Sequence, residues 1–407
     1  MELIRLRDVV SHKKGFAFKS ELYSDTGIMV VRVSDFTLES ISDSNAVYIE
    51  PCDKYEAYKL STGDILIQTV GSWANNPNSI VGKVVRVPQL CDKTYLNQNI
   101  VKITPNKSID NAYLFYALLA NHFSLYCVNR GQGAANQASI TLETILKFKF
   151  PIHCFTKQKK ISSILSNYDN LIENNNKRIR LLEQMTEHLY KEWFVRFRFP
   201  GHERVEFENG LPKEWTISGI CKSPFFSFAK CPLNEFSGTK EYFATANVEN
   251  FAMTSEGEWI DYANKPSRAQ ISPSPYSIWF ARMIKSYKIL SFNQFNEKLR
   301  KRCVLSSGFV GFNTSQEYYG FMYALISSKS FDAVKDMYCT GTTQVSLTNS
   351  NLEKIKIINP TIDIVKRFSQ IILPMIEQMM LIKNNNEILS RQRDLLLPRL
   401  MSGKLEV

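Results

Sequence analysis

The chain repeats itself, and that repetition constrains its fold more than any single motif. Tyr116-Ala117-Leu118 returns as Tyr323-Ala324-Leu325, 207 positions later. The same offset carries Gln137-Ala138-Ser139-Ile140-Thr141 onto Gln344-Val345-Ser346-Leu347-Thr348, and Lys147-Phe148-Lys149-Phe150 onto Lys354-Ile355-Lys356-Ile357. Leu171 with Asn174-Asn175-Asn176 matches Leu381 with Asn384-Asn385-Asn386 at an offset of 210. Each match is short, but their shared order and near-constant spacing argue for a duplicated unit. With 407 residues the chain is too long for one compact core, so tandem domains of similar plan are expected.

Each repeat has the same internal order. The first part is rich in β-branched and aromatic residues broken by turn signals, as in Gly27-Ile-Met-Val-Val-Arg32, Gly63-Asp64-Ile-Leu-Ile67 and Gly82-Lys-Val-Val-Arg86. Tyr287–Phe292 and Gly308–Phe312 read likewise in the second copy, and helices are expected around Ala112–His122 and Tyr319–Ser328. The second part changes its apolar period from two to about 3.5. Ile161, Leu165, Tyr168, Ile172, Asn175, Ile179, Leu182, Thr186 and Leu189 form one seam. Phe368, Ile372, Met375, Met379, Ile382, Asn385, Leu389, Leu396 and Leu400 form the other, and Pro374 inside it predicts a break or kink near Leu373.

Two helices with matching apolar stripes bury them against each other. The predicted fold is therefore mixed α+β, with two globular domains joined by two long helices that form an intramolecular antiparallel coiled coil with pseudo-twofold symmetry. The expected boundaries are a first domain over 1–152, a central helical region over 153–204, a second domain over 205–359 and a C-terminal helical region over 360–407. Asn175 and Asn385 interrupt the two seams at matching places. An asparagine on a seam costs stability but fixes register, which would set the two triplets near each other; a helix break or an exposed cap accounts for the same residues.

A formal charge of +11 and a pI near 9.1 favour a polyanionic partner, nucleic acid being the commonest, although a basic surface also serves solubility. The 44% apolar content is that of a folded protein. Apolar runs such as Ile28–Val31 are of strand length, far short of the ~20 residues that span a bilayer. The opening Met1-Glu2-Leu3-Ile4-Arg5 does not read as a signal peptide. Of eight cysteines the closest pair, Cys221 and Cys231, lies ten positions apart, so reduced thiols in a cytoplasmic protein are expected.

Familiar catalytic motifs are missing. Asn76-Pro77-Asn78 lacks the second proline and the aromatic that an amino-methyltransferase uses to hold a flipped base. Gly131-Gln132-Gly133 is not completed to a dinucleotide fingerprint, Gly82-Lys83 is followed by valine rather than Ser or Thr, and five histidines show no ligand spacing. No catalytic residues and no metal site are expected.

Basic and amide-rich loops are the candidates for DNA contact. Lys13, Lys14 and Lys19 lie in a segment that interleaves cations with Phe16 and Phe18, and lysines neutralise phosphates. Ser72, Trp73, Asn75 and Asn76 form a polar loop whose amides suit adenine, and Arg130, Gln132, Asn136 and Gln137 set a guanine-reading cation beside amides. In the second copy Arg282, Lys285 and Ser286 align approximately with the Gln68–Trp73 loop, and Thr343 with Gln344 aligns with Asn136-Gln137. Arg300, Lys301 and Arg302 form the densest basic cluster, read as a phosphate-contacting patch. Each segment also reads as an ordinary connecting loop.

With Gly15-Phe-Ala-Phe18-Lys19-Ser20, Gly63-Asp64-Ile-Leu-Ile67, Pro151-Ile152 with Gln158-Lys-Lys-Ile161, Leu211-Pro212-Lys-Glu-Trp215 and the ending Gln392-Arg-Asp-Leu-Leu-Leu-Pro398-Arg-Leu-Met-Ser402-Gly403-Lys404-Leu405, the chain resembles the specificity subunit of type I restriction-modification enzymes. The likeness spans essentially the whole chain, although Ser277-Ile-Trp-Phe280 replaces the Gly-Asp-Ile-Leu segment in the second copy. The resemblance implies two target recognition domains, each reading one half of a bipartite double-stranded DNA target, and helices that set the unread spacer. It further implies docking of two methyltransferase subunits, joined by restriction subunits, with S-adenosylmethionine, ATP and Mg bound by those partners and no catalysis in this chain. A seam of some 30 residues makes a helix about 45 Å long, on the scale of the 34–36 Å between half-sites one DNA turn apart. A specificity polypeptide of a type II system, a coiled-coil scaffold binding something other than DNA and a self-sufficient DNA enzyme are the alternatives.

Overall fold

The computed structural model describes residues 2–407 apart from 38–39, 44, 74–78, 121, 134–136, 254–256 and 343. The chain divides into two compact units, Met1–Asn174 with Asn386–Val407, and Asn175–Asn385. Each unit therefore takes one globular domain together with a stretch of both long helices, and the division runs through both asparagine triplets.

In the first unit a four-stranded antiparallel sheet is ordered Val10–Lys14, Ile100–Pro105, Ile65–Gln68, Val84–Arg86. Ile65, Leu66 and Ile67 are fully buried, which is why that strand reads as an unbroken apolar run rather than an alternating one. A second sheet sets Ile28–Val31 between an antiparallel neighbour, Val47–Ile49, and a parallel one, Tyr95–Leu96. Glu2–Arg5 pairs antiparallel with Lys149–Ile152, and the helix Asn111–Ala120 buries Tyr113 through Leu118.

The second unit repeats this wiring. Its four-stranded antiparallel sheet runs Phe226–Phe228, Phe309–Thr314, Ser277–Ala281, Ile289–Phe292. Its other sheet again centres on a parallel pair, Lys240–Phe243 with Cys303–Ser306, flanked by Glu258–Ile260 and by an additional strand, Ala269–Ile271. Thr216–Gly219 pairs antiparallel with Lys356–Asn359, as Glu2–Arg5 does with its partner, and Gln316–Ile326 is the helical counterpart.

The repeated sequence motifs now have physical roles. Thr141 and Thr348 are N-caps, their hydroxyls accepting the N–H of Thr144 and Asn351. Ile140 and Leu347, one position earlier, are buried. Lys149 and Lys356 are exposed while Phe150 and Ile357 are buried, the alternation of a half-covered strand.

The long helices span Phe155–Tyr190, continued by a π-helical turn over Lys191–Val195, and Ile362–Met401. Every expected seam residue of the first is buried or half-buried. In the first unit Ile161 and Leu165 share an apolar core with Leu400 and Met401, and Asp169 meets Arg393 at 2.9 Å. In the second unit Ile179 shares a core with Ile372, Ile376, Met379 and Ile382, while Thr186 lies 3.9 Å from the Met375 sulfur. Numbers rise along one helix as they fall along the other, so the pairing is antiparallel in each unit.

Two expectations on the second helix are corrected. The helix does not break at Pro374: it runs unbroken through an exposed proline, with Ile372 and Ile376 buried on either side to hold it to its core. Asn385 is exposed rather than on the seam, because the inward face steps four residues after Ile382 and reaches the half-buried Asn386. Asn175 is buried, as a seam position requires.

Candidate nucleic-acid interface

In the first unit the sheet delivers separate segments to one end. Lys14 and Ile67 both lie opposite Val101, and Gln68 lies opposite Ile100. The ends of their two strands are therefore two strand spacings apart, about 10 Å. Beyond Gln68 the backbone of Val70-Gly71 pairs with Ala138-Ser139, and the Ile140 N–H donates to Thr69 O at 2.9 Å. Gln132 and Ser139 exchange N–H···O bonds of 2.8 and 2.7 Å and so close a hairpin. Gly133 turns that hairpin at φ +149°, where a Cβ would sit 2.0 Å from Gln137 O. The buried Gln68 amide donates to Val70 O and Ser79 O, each at 2.9 Å, and fixes the loop from below.

This geometry brings Lys14 to the end of the sheet that carries Ser72, Trp73, Arg130, Gln132 and Gln137, whereas Lys13, one position earlier on the strand, points to the opposite face of the sheet. Lys13 holds its ammonium 4.6 Å from the Tyr58 ring centre, and the exposed Arg130 guanidinium stacks 4.1 Å over Tyr126. Trp73 is half-buried, its ring packed on Gly131. Lys19 is exposed but follows Phe18, which is buried against Tyr55 and Tyr95 under the other sheet, and the described contacts do not tie it to the loop pair. Asn75, Asn76 and Asn136 lie outside the described residues.

The second unit builds the same pair of loops from different side chains. The Leu347 N–H donates to Arg282 O at 2.8 Å, Met283 bridges Ser346, and the Ile284 N–H donates to Val345 O at 3.2 Å. Thr340 and Ser346 exchange bonds of 3.0 Å, and Gly341 at φ +134° turns that hairpin as Gly133 turns the first. Arg282, which the sequence aligns with the first domain's Gln68–Trp73 loop, is half-buried and donates from Nη1 to Leu347 O at 3.0 Å. Burial lowers its pKa from the usual guanidinium range. Part of its hydrogen-bonding capacity thus goes to holding the hairpin. Lys285 and Gln344 are exposed and Ser286 half-buried, and Thr343 lies outside the described residues. An open cleft of about 230 Å³ beside this loop is lined by Phe228, Trp279, Arg282 and Phe309.

Arg300, Lys301 and Arg302 are not brought to this place. Their helix, Glu297–Arg302, follows the far end of strand Ile289–Phe292, whereas the 282–288 loop precedes its near end. Their charges are also engaged: Lys301 meets Glu297 at 2.8 Å, Arg302 meets the buried Glu241 at 2.9 Å, and Arg300 donates to Pro273 O at 3.3 Å. A cation missed in the sequence takes the place of Lys14. Lys230 is exposed and follows Ala229, whose N–H donates to Gly311 O at 2.9 Å. The signal was present in Ser227-Phe-Ala-Lys230, which parallels Ser11-His-Lys-Lys14.

Among the described residues no group of three or more His, Cys, Asp or Glu side chains is placed to hold a metal ion, and no helix is long and apolar enough to cross a membrane. The family model of the type I restriction modification DNA specificity domain matches residues 1–184. Over 328 residues the chain is 26% identical to the type I restriction enzyme MjaIX specificity subunit of Methanocaldococcus jannaschii, a match covering 76% of this chain and 73% of the relative. With the putative MjaX specificity subunit of the same organism it is 21% identical over 420 residues, covering 100% of this chain and 94% of that one. The matched domain and the whole-chain relatives are those of type I restriction-modification specificity subunits, and the chain is the DNA-specificity component of a type I system, the non-catalytic one. The crystal structure of a type I S subunit from M. genitalium shares the fold of this specificity subunit, with a TM-score of 0.54 at 14% identity, covering 98% of this chain and 95% of that one.

Proposed function

We propose that each globular domain of this specificity subunit reads one half of a bipartite double-stranded DNA target, with recognition domains over 1–152 and 205–359. The helical regions over 153–204 and 360–407 set the unread spacer and dock two modification subunits. The observation that carries this reading is the recurrence of one interface plan, a strand-end lysine beside a loop clipped to a glycine-turned hairpin, with altered side chains at its tips. Two readers of different half-sites need a shared backbone platform and different side chains.

Lys14 and Arg130 supply phosphate contacts or a guanine-reading cation in the first domain, Ser72, Trp73, Gln132 and Gln137 lie at the same end of the sheet, and Lys13 meets phosphate from the sheet's opposite face. Lys230, Lys285 and Gln344 take the corresponding places in the second. Asn75, Asn76, Asn136 and Thr343 complete the two sets by their place in the sequence. The helices also offer apolar side chains to a partner: Leu171, Ile388 and Leu395 are at least half exposed in the first unit, as are Leu181, Met185 and Leu381 in the second. S-adenosylmethionine, ATP and Mg belong to the partner subunits in this reading, and the complex is cytoplasmic.

Exchanging residues 1–152 for the same region of a related subunit tests the assignment. Methylome sequencing of the host should then show one half of the modified sequence changed and the other kept. Alteration of both halves, or of neither, would refute modular reading.

A further inference from the structure

We propose that Lys335 and Asp336 are positioning residues that hold the 282–287 loop of the second domain in the shape that meets DNA, a proposal resting on the reading of that loop as part of the interface. Lys335 lies on helix Lys329–Met337 and is 1% exposed. A lysine is so deeply buried only when its charge is paired and its N–H groups are satisfied. Its ammonium lies 2.7 Å from Asp332 and 3.3 Å from Asp336, and it donates to Ser286 O at 3.0 Å and Met283 O at 3.4 Å. Asp336 adds a third hold, its Oδ2 accepting the Lys285 N–H at 3.0 Å.

The held residue is in an uncommon conformation. Lys285 sits at φ +53°, a left-handed position that a side chain with a Cβ disfavours and that persists only where surrounding bonds impose it. Three backbone groups of one short loop, at 283, 285 and 286, are thus tied to a single pair of adjacent side chains. Met283, Ile284 and Lys285 meanwhile remain exposed. A clamp on the backbone with free side chains above it presents a surface rather than filling a core. The first domain meets the same need with neutral chemistry, the Gln68 amide bonded to Val70 O and Ser79 O. Reading base edges requires side chains fixed by such supporting contacts, since a loosely held loop loses discrimination before it loses charge.

The test uses the subunit assembled with its modification partner and three labelled duplexes: the target mapped from the host methylome, and the same duplex with either half-site scrambled. The second half-site is the one that exchange of residues 1–152 leaves unchanged. Asp336→Ala should cut discrimination against the scrambled second half-site at least tenfold and leave the first within twofold. Asp336→Asn, whose side-chain oxygen still accepts the Lys285 N–H, should keep both within about threefold. Lys335→Met is an independent variant that must move the same ratio. If the wild-type subunit ignores scrambling of either half, the interface reading itself fails. If it discriminates and both Asp336→Ala and Lys335→Met discriminate equally well, or if they lose both halves alike, the clamp is overturned while the interface reading stands.

Discussion

Gly320 tests whether the second domain is locked to its helix by close backbone contact. It lies inside helix Gln316–Ile326, where glycine costs about 1 kcal/mol relative to alanine, so Gly320→Ala should stabilise the protein by about that amount on propensity alone. The tertiary structure reverses the sign. An added Cβ would lie 2.8 Å from Ser369 Cα, 3.0 Å from Ser369 O and 3.2 Å from Ile372 Cβ, all on the Ile362–Met401 helix. Relaxed carbon contacts are about 3.5–4.0 Å, so the two helices must separate by several tenths of an ångström. The neighbouring Phe321 N–H, which donates to Ser369 Oγ at 3.0 Å, is strained by the same movement. Overpacking costs about 1–3 kcal/mol and a weakened buried hydrogen bond about 1 kcal/mol more. Set against the propensity gain, Gly320→Ala should destabilise the second unit by about 1–3 kcal/mol. Urea unfolding monitored by hydrogen exchange reads this locally: the midpoint should fall and the 316–326 segment should exchange faster than in the wild type. A raised midpoint with protection of that segment intact would show that no such contact exists.

Replacing Lys14 and Lys230 together by Ala should weaken binding to all duplexes alike and reduce the slope of log affinity against log salt by about 2, one per phosphate contact; an unchanged slope measured by salt titration would place both lysines off the DNA. Asp169 accepts a bond from Tyr116 and pairs with Arg86 at 3.5 Å and Arg393 at 2.9 Å, all with small residual exposure. Asp169→Asn removes the negative charge that Arg86 and Arg393 share, while Arg393 keeps Asp394 at 2.9 Å and Arg86 keeps the Ser166 hydroxyl. It should destabilise the first unit by about 1–2 kcal/mol, between the worth of an exposed pair and the cost of breaking a wholly buried one; equilibrium denaturation with no loss would mean the charges are solvated. Inserting one heptad after Asn176 and another after Asn386 keeps the seam in phase and adds about 10 Å, or about three base pairs of spacer. Methylome mapping should show both half-sites kept and the spacer longer, and unchanged spacing would count against the helices as a ruler.

Periodic features were legible in the sequence because they depend on neighbours three or four positions away along a helix and two along a strand. The seam from Ile161 to Leu189 belongs to this class, whereas Thr141 with Thr348 and Lys149-Phe150 with Lys356-Ile357 were visible only as repeats and took their roles as caps and strands from the structure. The duplication itself was legible, since two copies under similar packing demands keep the same residues at the same spacing. What lies beside what across a sheet was not legible, because strand register is set by pairing between segments far apart in the chain. That register put Lys14 and Lys230 at the loop end of their sheets, sent the Arg300–Arg302 cluster to the opposite end, and turned Arg282 onto a backbone carbonyl. It also joined a lysine of one helix to the backbone of a loop some fifty residues earlier, a contact that no local period encodes. Sequence alone determined the duplicated plan and its helical seams; only tertiary packing decided which polar side chains face outward to a partner and which are spent holding the loops that carry them.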